Sequence, residues 1–320
     1  MKILVTGAAG FIGSHLCEKL LAADHDVLGI DCLTDYYSVE RKRANLQPLL
    51  KNAGFTFIEG DIRNAAAWKE KAGGVEAVFH LAAQPGVRAS WGTGFQAYAE
   101  RNVLATQLLL EEFRDAPLKK FVFASSSSIY GDAESLPTRE DAVPLPVSPY
   151  GVTKLAAENL CRLYWKNHGV PAVMLRYFTV YGPRQRPDMA FSRLIRAALD
   201  GAPFQVYGDG AQTRDFTFVD DAVAATVSAM ESGAEGEALN VGGGSRVSLN
   251  RVISILESGH RVKPAIEYVH SQKGDVRHTA ADVAKARRIL GYEPSVSIEE
   301  GVGKQVEWEK RAGRAERETA

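Results

Sequence analysis

The sequence predicts a doubly wound α/β fold, a parallel sheet with helices on both faces, followed by a smaller C-terminal domain. Two features predict it. Short β-rich runs alternate with longer segments of helical periodicity through the first half of the chain, and the first run feeds a glycine-rich turn that opens a helix. The candidate strands are Ile3–Val5, Val27–Ile30, Phe55–Ile58, Ala77–Leu81, Phe121–Ala124 and Val173–Leu175. Between them lie apolar residues at helical spacing, such as Leu16, Leu20 and Leu21, and Leu104, Leu108 and Leu109. This alternation suits a parallel sheet, whose neighbouring strands need a crossover connection.

Beyond about Tyr177 the pattern loosens at Pro183, Pro187 and Pro203. Ala238–Val241 reads as a strand returning to the sheet, and a helix is expected from about Leu249. The stretch from Lys304 mixes both charge signs, holds little apolar content after Trp308 and is expected to fray. The chain then divides into a sheet domain of residues 1–178 plus about 215–248 and a smaller domain of about 179–214 plus 249–310, with a frayed tail at 311–320.

Composition narrows the function. The chain has 320 residues, 45% hydrophobic and 24% charged, with a formal net charge of −1. That balance carries no basic excess and argues against a nucleic-acid binder. No run approaches the ~18 apolar residues that span a bilayer, and a strand from Lys2 leaves no expected signal peptide before the fold. Cys17, Cys32 and Cys161 are odd in number and lack metal-ligand spacing, so neither a metal nor a disulfide is expected. Cys17 and Cys32 are expected to pack near the sheet, and a reducing cytoplasm fits.

The strand Lys2–Thr6 runs into Gly7-Ala8-Ala9-Gly10-Phe11-Ile12-Gly13. Glycines allow a tight turn and close approach of peptide N–H groups to a pyrophosphate, which then faces the positive end of the helix dipole. This is a Rossmann-type arrangement. Asp31 ends the second strand, where a carboxylate accepts hydrogen bonds from an adenosine ribose and repels a 2′-phosphate, which favours NAD over NADP. Arg41, Lys42 and Arg43 lie nearby and leave some room for NADP. Asp61-Ile62 and Leu81-Ala82-Ala83 follow the third and fourth strands, where such sheets bind ligands. His80 is expected to be a packed strand residue rather than a catalyst.

The chemical end begins at Ser148-Pro149-Tyr150-Gly151-Val152-Thr153-Lys154. Ser148 suits an N-cap and Pro149 the first helical position, so Tyr150 and Lys154 share one helical face. An ammonium near a phenol, helped by the helix N-terminus, is expected to lower the phenol's pKa from ~10. Such a tyrosine can take a proton from a sugar hydroxyl while a nicotinamide takes a hydride from the same carbon. Upstream, Phe121–Ala124 opens into Ser125-Ser126-Ser127-Ser128-Ile129-Tyr130-Gly131, which brings serine hydroxyls to the same strand end.

Together these residues resemble the extended short-chain dehydrogenases/reductases that act on nucleotide sugars, from Gly7 to the late Gly274-Asp275-Val276-Arg277. The resemblance makes Ser126, Tyr150 and Lys154 the catalytic residues. It implies NAD held by Gly7, Gly10, Phe11, Ile12, Gly13, Asp31, Asp61, Ile62, Leu81, Ala82, Ala83, Asn102, Tyr150, Lys154 and Tyr177. The implied reaction oxidises the sugar to a 4-keto intermediate, rotates it and returns the hydride to the other face. Members that eliminate water carry an Asp-Glu pair where this chain has Ser127 and Ser128, and decarboxylating members carry a glutamate at the Ser128 position. Serine is poor at either task, so epimerisation is favoured over dehydration and decarboxylation.

The segment Arg176–Met189, with Gln84–Arg88 and Asp35-Tyr36-Tyr37, is similar to the UDP-glucuronate 4-epimerases, and Thr179 stands where many UDP-glucose epimerases carry asparagine. UDP-glucose and its N-acetylamino analogue remain alternatives, as does a catalytically silent NAD sensor, which needs neither Tyr150 nor Lys154. A 4-keto uronate is a β-keto acid prone to lose carbon dioxide, and a guanidinium with several hydroxyls holding its carboxylate opposes that loss. Arg186, Thr179, Ser127 and Ser128 are assigned to this clamp. Gln84 and Arg88 are expected near the substrate, Gln205 and Tyr207 beside the uracil, Arg214 and Arg277 on the diphosphate and Asp275 near the ribose or an arginine. The resemblance also implies a homodimer pairing the helices near Tyr98–Phe113 and Tyr150–His168.

Overall fold

The computed structural model describes residues 1–133, 135–260, 262–270 and 276–318. In chain order its strands are β1 (Lys2–Thr6), β2 (Asp26–Asp31), β3 (Phe55–Glu59), β4 (Ala77–His80), β5 (Lys120–Ser126), β6 (Ala172–Tyr177), β7 (Thr179–Tyr181), β8 (Pro203–Tyr207), β9 (Thr213–Phe218), β10 (Ala238–Val241), β11 (Arg246–Ser248) and β12 (Ala265–Val269). The helices are α1 (Phe11–Leu21), α2 (Val39–Leu46), α3 (Phe95–Tyr98), α4 (Ala105–Phe113), α5 (Pro149–His168), α6 (Ala190–Asp200), α7 (Val219–Glu231), α8 (Leu249–His260), α9 (Ala284–Leu290) and α10 (Ile298–Glu318).

Seven strands form one sheet in the order β3-β2-β1-β4-β5-β6-β10, and every neighbouring pair is parallel. Both faces are covered. Ile3 and Val5 of β1 join one buried cluster, whereas Leu4 between them joins the other with Leu28 and Val78. Burial on both faces is why these strands read as continuous apolar runs instead of alternating ones. The chain leaves β1 toward β2 and β3 on one side and resumes at β4 on the other, so the carboxyl ends of β1 and β4 flank a switch point where such sheets bind ligands. His80 packs there as expected, buried between the hydroxyls of Thr6 and Thr106 at 2.8 and 3.0 Å.

The later elements form a three-stranded sheet, β11-β9-β7, and a two-stranded parallel pair, β12-β8. Asp215–Phe218, expected with the large sheet, pairs in the small one instead. Cys17 and Cys161 are buried but Cys32 is exposed, because it follows the end of β2 rather than packing under the sheet. The expected fraying from Lys304 does not occur: α10 continues to Glu318, with Val302 and Val306 fully buried. Two polar residues complete that inward face and hid it from the pattern. Gln305 donates to Gln185 at 2.9 Å, and Glu309 pairs with Arg196 at 3.1 Å. Among the described residues, no helix is long and apolar enough to cross a membrane.

Candidate active site

A cavity of about 430 Å³ lies over the carboxyl ends of the sheet strands, against the turn between β1 and α1. Gly7 has φ +74°, and a Cβ there would sit 2.9 Å from the backbone nitrogen of Ala82. At Gly13 a Cβ would come within 2.1 Å of the Gly7 carbonyl oxygen. Gly10 begins α1 in an extended conformation without a side-chain cap. The turn is therefore a cradle of bare backbone at a helix N-terminus, which suits a diphosphate. Asp31 faces the same cavity, its carboxylate accepting the amides of Ala9 at 3.1 Å and Leu33 at 2.9 Å. Burial raises its pKa, against those two bonds and the charge of Lys42. The neighbouring cations are committed elsewhere. Arg43 pairs with Glu59 and Arg41 with Glu309, while Lys42 donates to the carbonyl and hydroxyl of Thr34. The cradle and acidic strand end fit a dinucleotide with an unphosphorylated ribose.

The other expected cofactor residues Phe11, Ile12, Asp61, Ile62, Leu81, Ala82, Ala83, Tyr150, Lys154 and Tyr177 also line this cavity. Asn102 does not. Its amide donates to the Gln84 carbonyl and the Thr153 hydroxyl and accepts the Gln84 amide at 2.6 Å, so it holds the wall from behind. Asp61 is gripped by Arg63, whose bonds hold the carboxyl below its ordinary range.

Ser126, Ser127 and Ser128 leave β5 at the cavity, and Ser126 Oγ caps the following turn by accepting the Ser128 amide at 3.1 Å. Helix α5 starts as predicted, with Ser148 Oγ accepting the Gly151 amide at 3.1 Å and Pro149 in the first turn. This brings Tyr150 beside Ser126, which acts on its phenol. The expected lowering of its pKa by Lys154 is not what the packing produces. Burial pushes the phenol above its ordinary value, opposed by the Ser126 bond and by Arg186. The Lys154 amine instead stands 4.3 Å over the Phe123 ring, and burial pulls its pKa down to about 8.

Thr179 and Arg186 line this cavity and a second one of about 1110 Å³, so the two spaces meet at these residues. Arg88, Gln205, Tyr207, Arg214 and Arg277 line the second cavity, while Gln84 faces the first with its side-chain oxygen 2.6 Å from Arg101. The Arg88 guanidinium lies 4.3 Å over the Tyr207 ring, which joins the loop after β4 to β8 across that space. Arg214 donates to the carbonyls of Thr213 and Arg277. Asp275 lies outside the described residues. Residues to which the sequence assigned no individual role also converge here. Asp188 takes the Arg186 guanidinium in a two-pronged pair at 3.0 and 2.9 Å, with the Tyr36 hydroxyl 3.4 Å from it, and Arg63 and Arg101 complete the rim near Asp61 and Gln84. Their charges resemble any surface pairs until the chain folds.

A nucleotide cradle running into a serine–tyrosine–lysine cluster and then a cation-lined cavity defines a dinucleotide-dependent enzyme of the extended short-chain dehydrogenase/reductase type. The chain belongs to the NAD dependent epimerase/dehydratase family, whose model matches residues 3–242. It is 43% identical to a UDP-glucuronate 4-epimerase of Thermodesulfobacterium geofontis, over 96% of this chain and 95% of that one. It is 45% identical to an uncharacterized UDP-glucose epimerase of Bacillus subtilis, over 96% and 97%. Among solved structures, the UDP-glucuronic acid 4-epimerase of Bacillus cereus in complex with UDP-glucuronic acid and NAD matches with a TM-score of 0.94 and 46% identity, covering 98% of this chain and 100% of that one.

Proposed function

We propose that this chain binds NAD and a UDP-sugar and inverts carbon 4, chiefly interconverting UDP-glucuronate and UDP-galacturonate. The observation that carries the reading is the junction of the two cavities, where Ser126, Tyr150 and Lys154 meet Thr179 and Arg186 without a carboxylate at position 127 or 128. The seven-stranded sheet and its helices serve as the cofactor body, and the smaller sheets with Gln205, Tyr207, Arg214 and Arg277 as the nucleotide-sugar body.

Bound NAD supplies a nicotinamide ring that takes up and returns a hydride. Ser126 orients the 4-hydroxyl by hydrogen bonding, and Tyr150, as the phenolate that Ser126, Arg186 and the positive charge of a bound cofactor would favour against burial, takes its proton as the carbon is oxidised and returns it after the ketone has turned over. Lys154, over the Phe123 ring at the cavity wall, would hold the cofactor's ribose and supply positive charge to the site. Ser127, Ser128, Thr179 and Arg186 hold the uronate carboxylate, and serines at 127 and 128 lack the acid and base that elimination needs. A second reading, UDP-glucose epimerisation, draws on the Arg186–Asp188 pair, which balances the guanidinium and makes a neutral C6 group tolerable.

Incubation with UDP-glucuronate and separately with UDP-glucose, followed by NMR identification of the products, tests both readings. UDP-galacturonate is expected as the main product of the first; a UDP-pentose or a 4-keto-6-deoxy sugar would overturn the epimerase assignment. Val152 and Leu163, eleven residues apart on one face of α5, are exposed, as is Leu104 ahead of α4. A second copy is the proposed cover, and a monomer by light scattering would remove it. Cys17, Cys32 and Cys161 are all free thiols, which fits the proposed cytoplasmic site.

A further inference from the structure

Below the cavity floor, one buried charge cluster joins the catalytic helix to the sheet. Glu158 and Arg176 are both buried, and Arg176 grips the carboxylate through Nε and NH2, the latter at 2.6 Å from Oε1. The other oxygen, Oε2, accepts the Ser125 hydroxyl at 2.6 Å. Arg176 NH1 donates to the Tyr130 hydroxyl at 2.7 Å, and that hydroxyl donates to Asn240 at 2.7 Å. The cluster thus reaches β5, β6, β10 and the turn after Ser128 from one carboxylate. Ser125 and Ser126 sit opposite Arg176 and Tyr177 in the parallel register of β5 and β6.

Glu158 lies on α5 one turn after Lys154 and two turns after Tyr150, so fixing it fixes the axial position and rotation of both. Sliding or turning that helix separates Tyr150 from Ser126, and small misplacements of reacting groups are expensive in rate. We propose that Glu158 is a positioning residue of the reaction: it sets α5 against the strand end that carries Ser126 and places its carboxylate one helical turn from Lys154. The proposal rests on the epimerase reading for its kinetic arm.

The surroundings of Lys154 single out Glu158. On β4, His80 is pushed down to about 3 by burial and by Lys154, so it stays neutral. Phe123 of β5 offers only a ring face. On α5 itself, burial and then Glu158 push the Cys161 thiol up, which keeps it neutral. Cys161 and then Glu158 oppose burial at Lys154, and with the thiol kept neutral Glu158 is the charged group of the two.

Two variants of the purified enzyme separate geometry from charge. In Ser125→Ala the carboxylate stays, so kcat should fall about tenfold, with KM within about threefold and the basic limb of the pH–rate profile in place. In Glu158→Gln kcat should fall further, and the limb should move down by about one pH unit. The pH midpoint of Lys154 acetylation by acetic anhydride, read by mass spectrometry without sugar, should move with it. Should Glu158→Gln not fold, Glu158→Gln/Arg176→Met removes both buried charges together, and limb and midpoint should still move down, by less than about one pH unit because the opposing Arg176 charge is gone as well. A folded charge-removed variant with unmoved limb and midpoint overturns the proposal, as does full kcat in Ser125→Ala. Absence of any UDP-sugar turnover by the unaltered enzyme sinks the epimerase reading instead, while the acetylation profile still judges Glu158.

Discussion

At the dinucleotide end of the cavity, β1, the turn through Gly13 and the start of α1 offer peptide groups and almost no side chains. At the proposed sugar end, Arg88, Arg186, Arg214 and Arg277 project from four separate segments, and each is held by a neighbouring ring, carboxylate or carbonyl. The first end tolerates no added atom, since a Cβ at Gly13 would meet a carbonyl. The second end has room, and its selectivity lies in how charges are aimed. A backbone-built site should therefore fail through shape and a side-chain-built site through charge. Between them stands Tyr150, which belongs to neither and should outweigh both.

Replacing Tyr150 with phenylalanine removes the proton carrier while leaving the ring, which packs edge-on to Tyr98 with centroids 6.2 Å apart. kcat should fall by about 10²–10⁴-fold, with UDP-sugar and NAD affinities nearly unchanged by calorimetry. A loss of affinity matching the loss of rate would show that the phenol binds rather than reacts.

A crossed pair of variants tests the comparison itself. Gly13→Ala forces the turn open, so NAD affinity should weaken by at least about tenfold, a cost of about 1.4–3 kcal/mol. Arg186→Ala should leave NAD affinity within about twofold and lower kcat/KM for UDP-glucuronate by roughly 10–100-fold, the worth of a charge-assisted bond. The loss with UDP-glucose should be smaller. Equal losses for both sugars in Arg186→Ala would mean that Arg186 supports the loop through Asp188 rather than facing the carboxylate.

How much of this was legible differs between the ends for a physical reason. A backbone cradle needs glycines in fixed order between a strand and a helix, so Gly7, Gly10 and Gly13 announce it locally. The Ser148 cap and Pro149 likewise place Tyr150 and Lys154 by local rules. Asp188, Glu158 and Arg176 carry no such mark, because a buried ion pair looks like a surface one until distant segments meet. Asn102 shows the reverse. The resemblance puts it on the cofactor, and its amide donates to Gln84 and Thr153. Gln305 and Glu309 hid the inward face of α10 by being polar where a core stripe is usually apolar.

The smallest expected effect is one of pH, and it runs in opposite directions for rate and for stability. Burial pulls Lys154 to about 8 in the folded chain, against ~10.4 when unfolded. As pH rises through about 8 the folded protein loses this ammonium, and with it the positive charge one helical turn from Tyr150. Turnover should then decline by a few-fold per unit, up to about tenfold if the cation is essential. Between about 8 and 10.4 the unfolded chain holds more protons than the folded one, so this lysine's contribution to stability rises with pH across that window. Burying the charge is unfavourable below it, and that penalty disappears once both states are neutral. Lys154→Met should therefore lower kcat at neutral pH, remove the activity limb near 8 and flatten the 8-to-10.4 rise in melting temperature relative to the unaltered enzyme. If the limb persists in Lys154→Met, another group, Tyr150 foremost, sets the alkaline boundary.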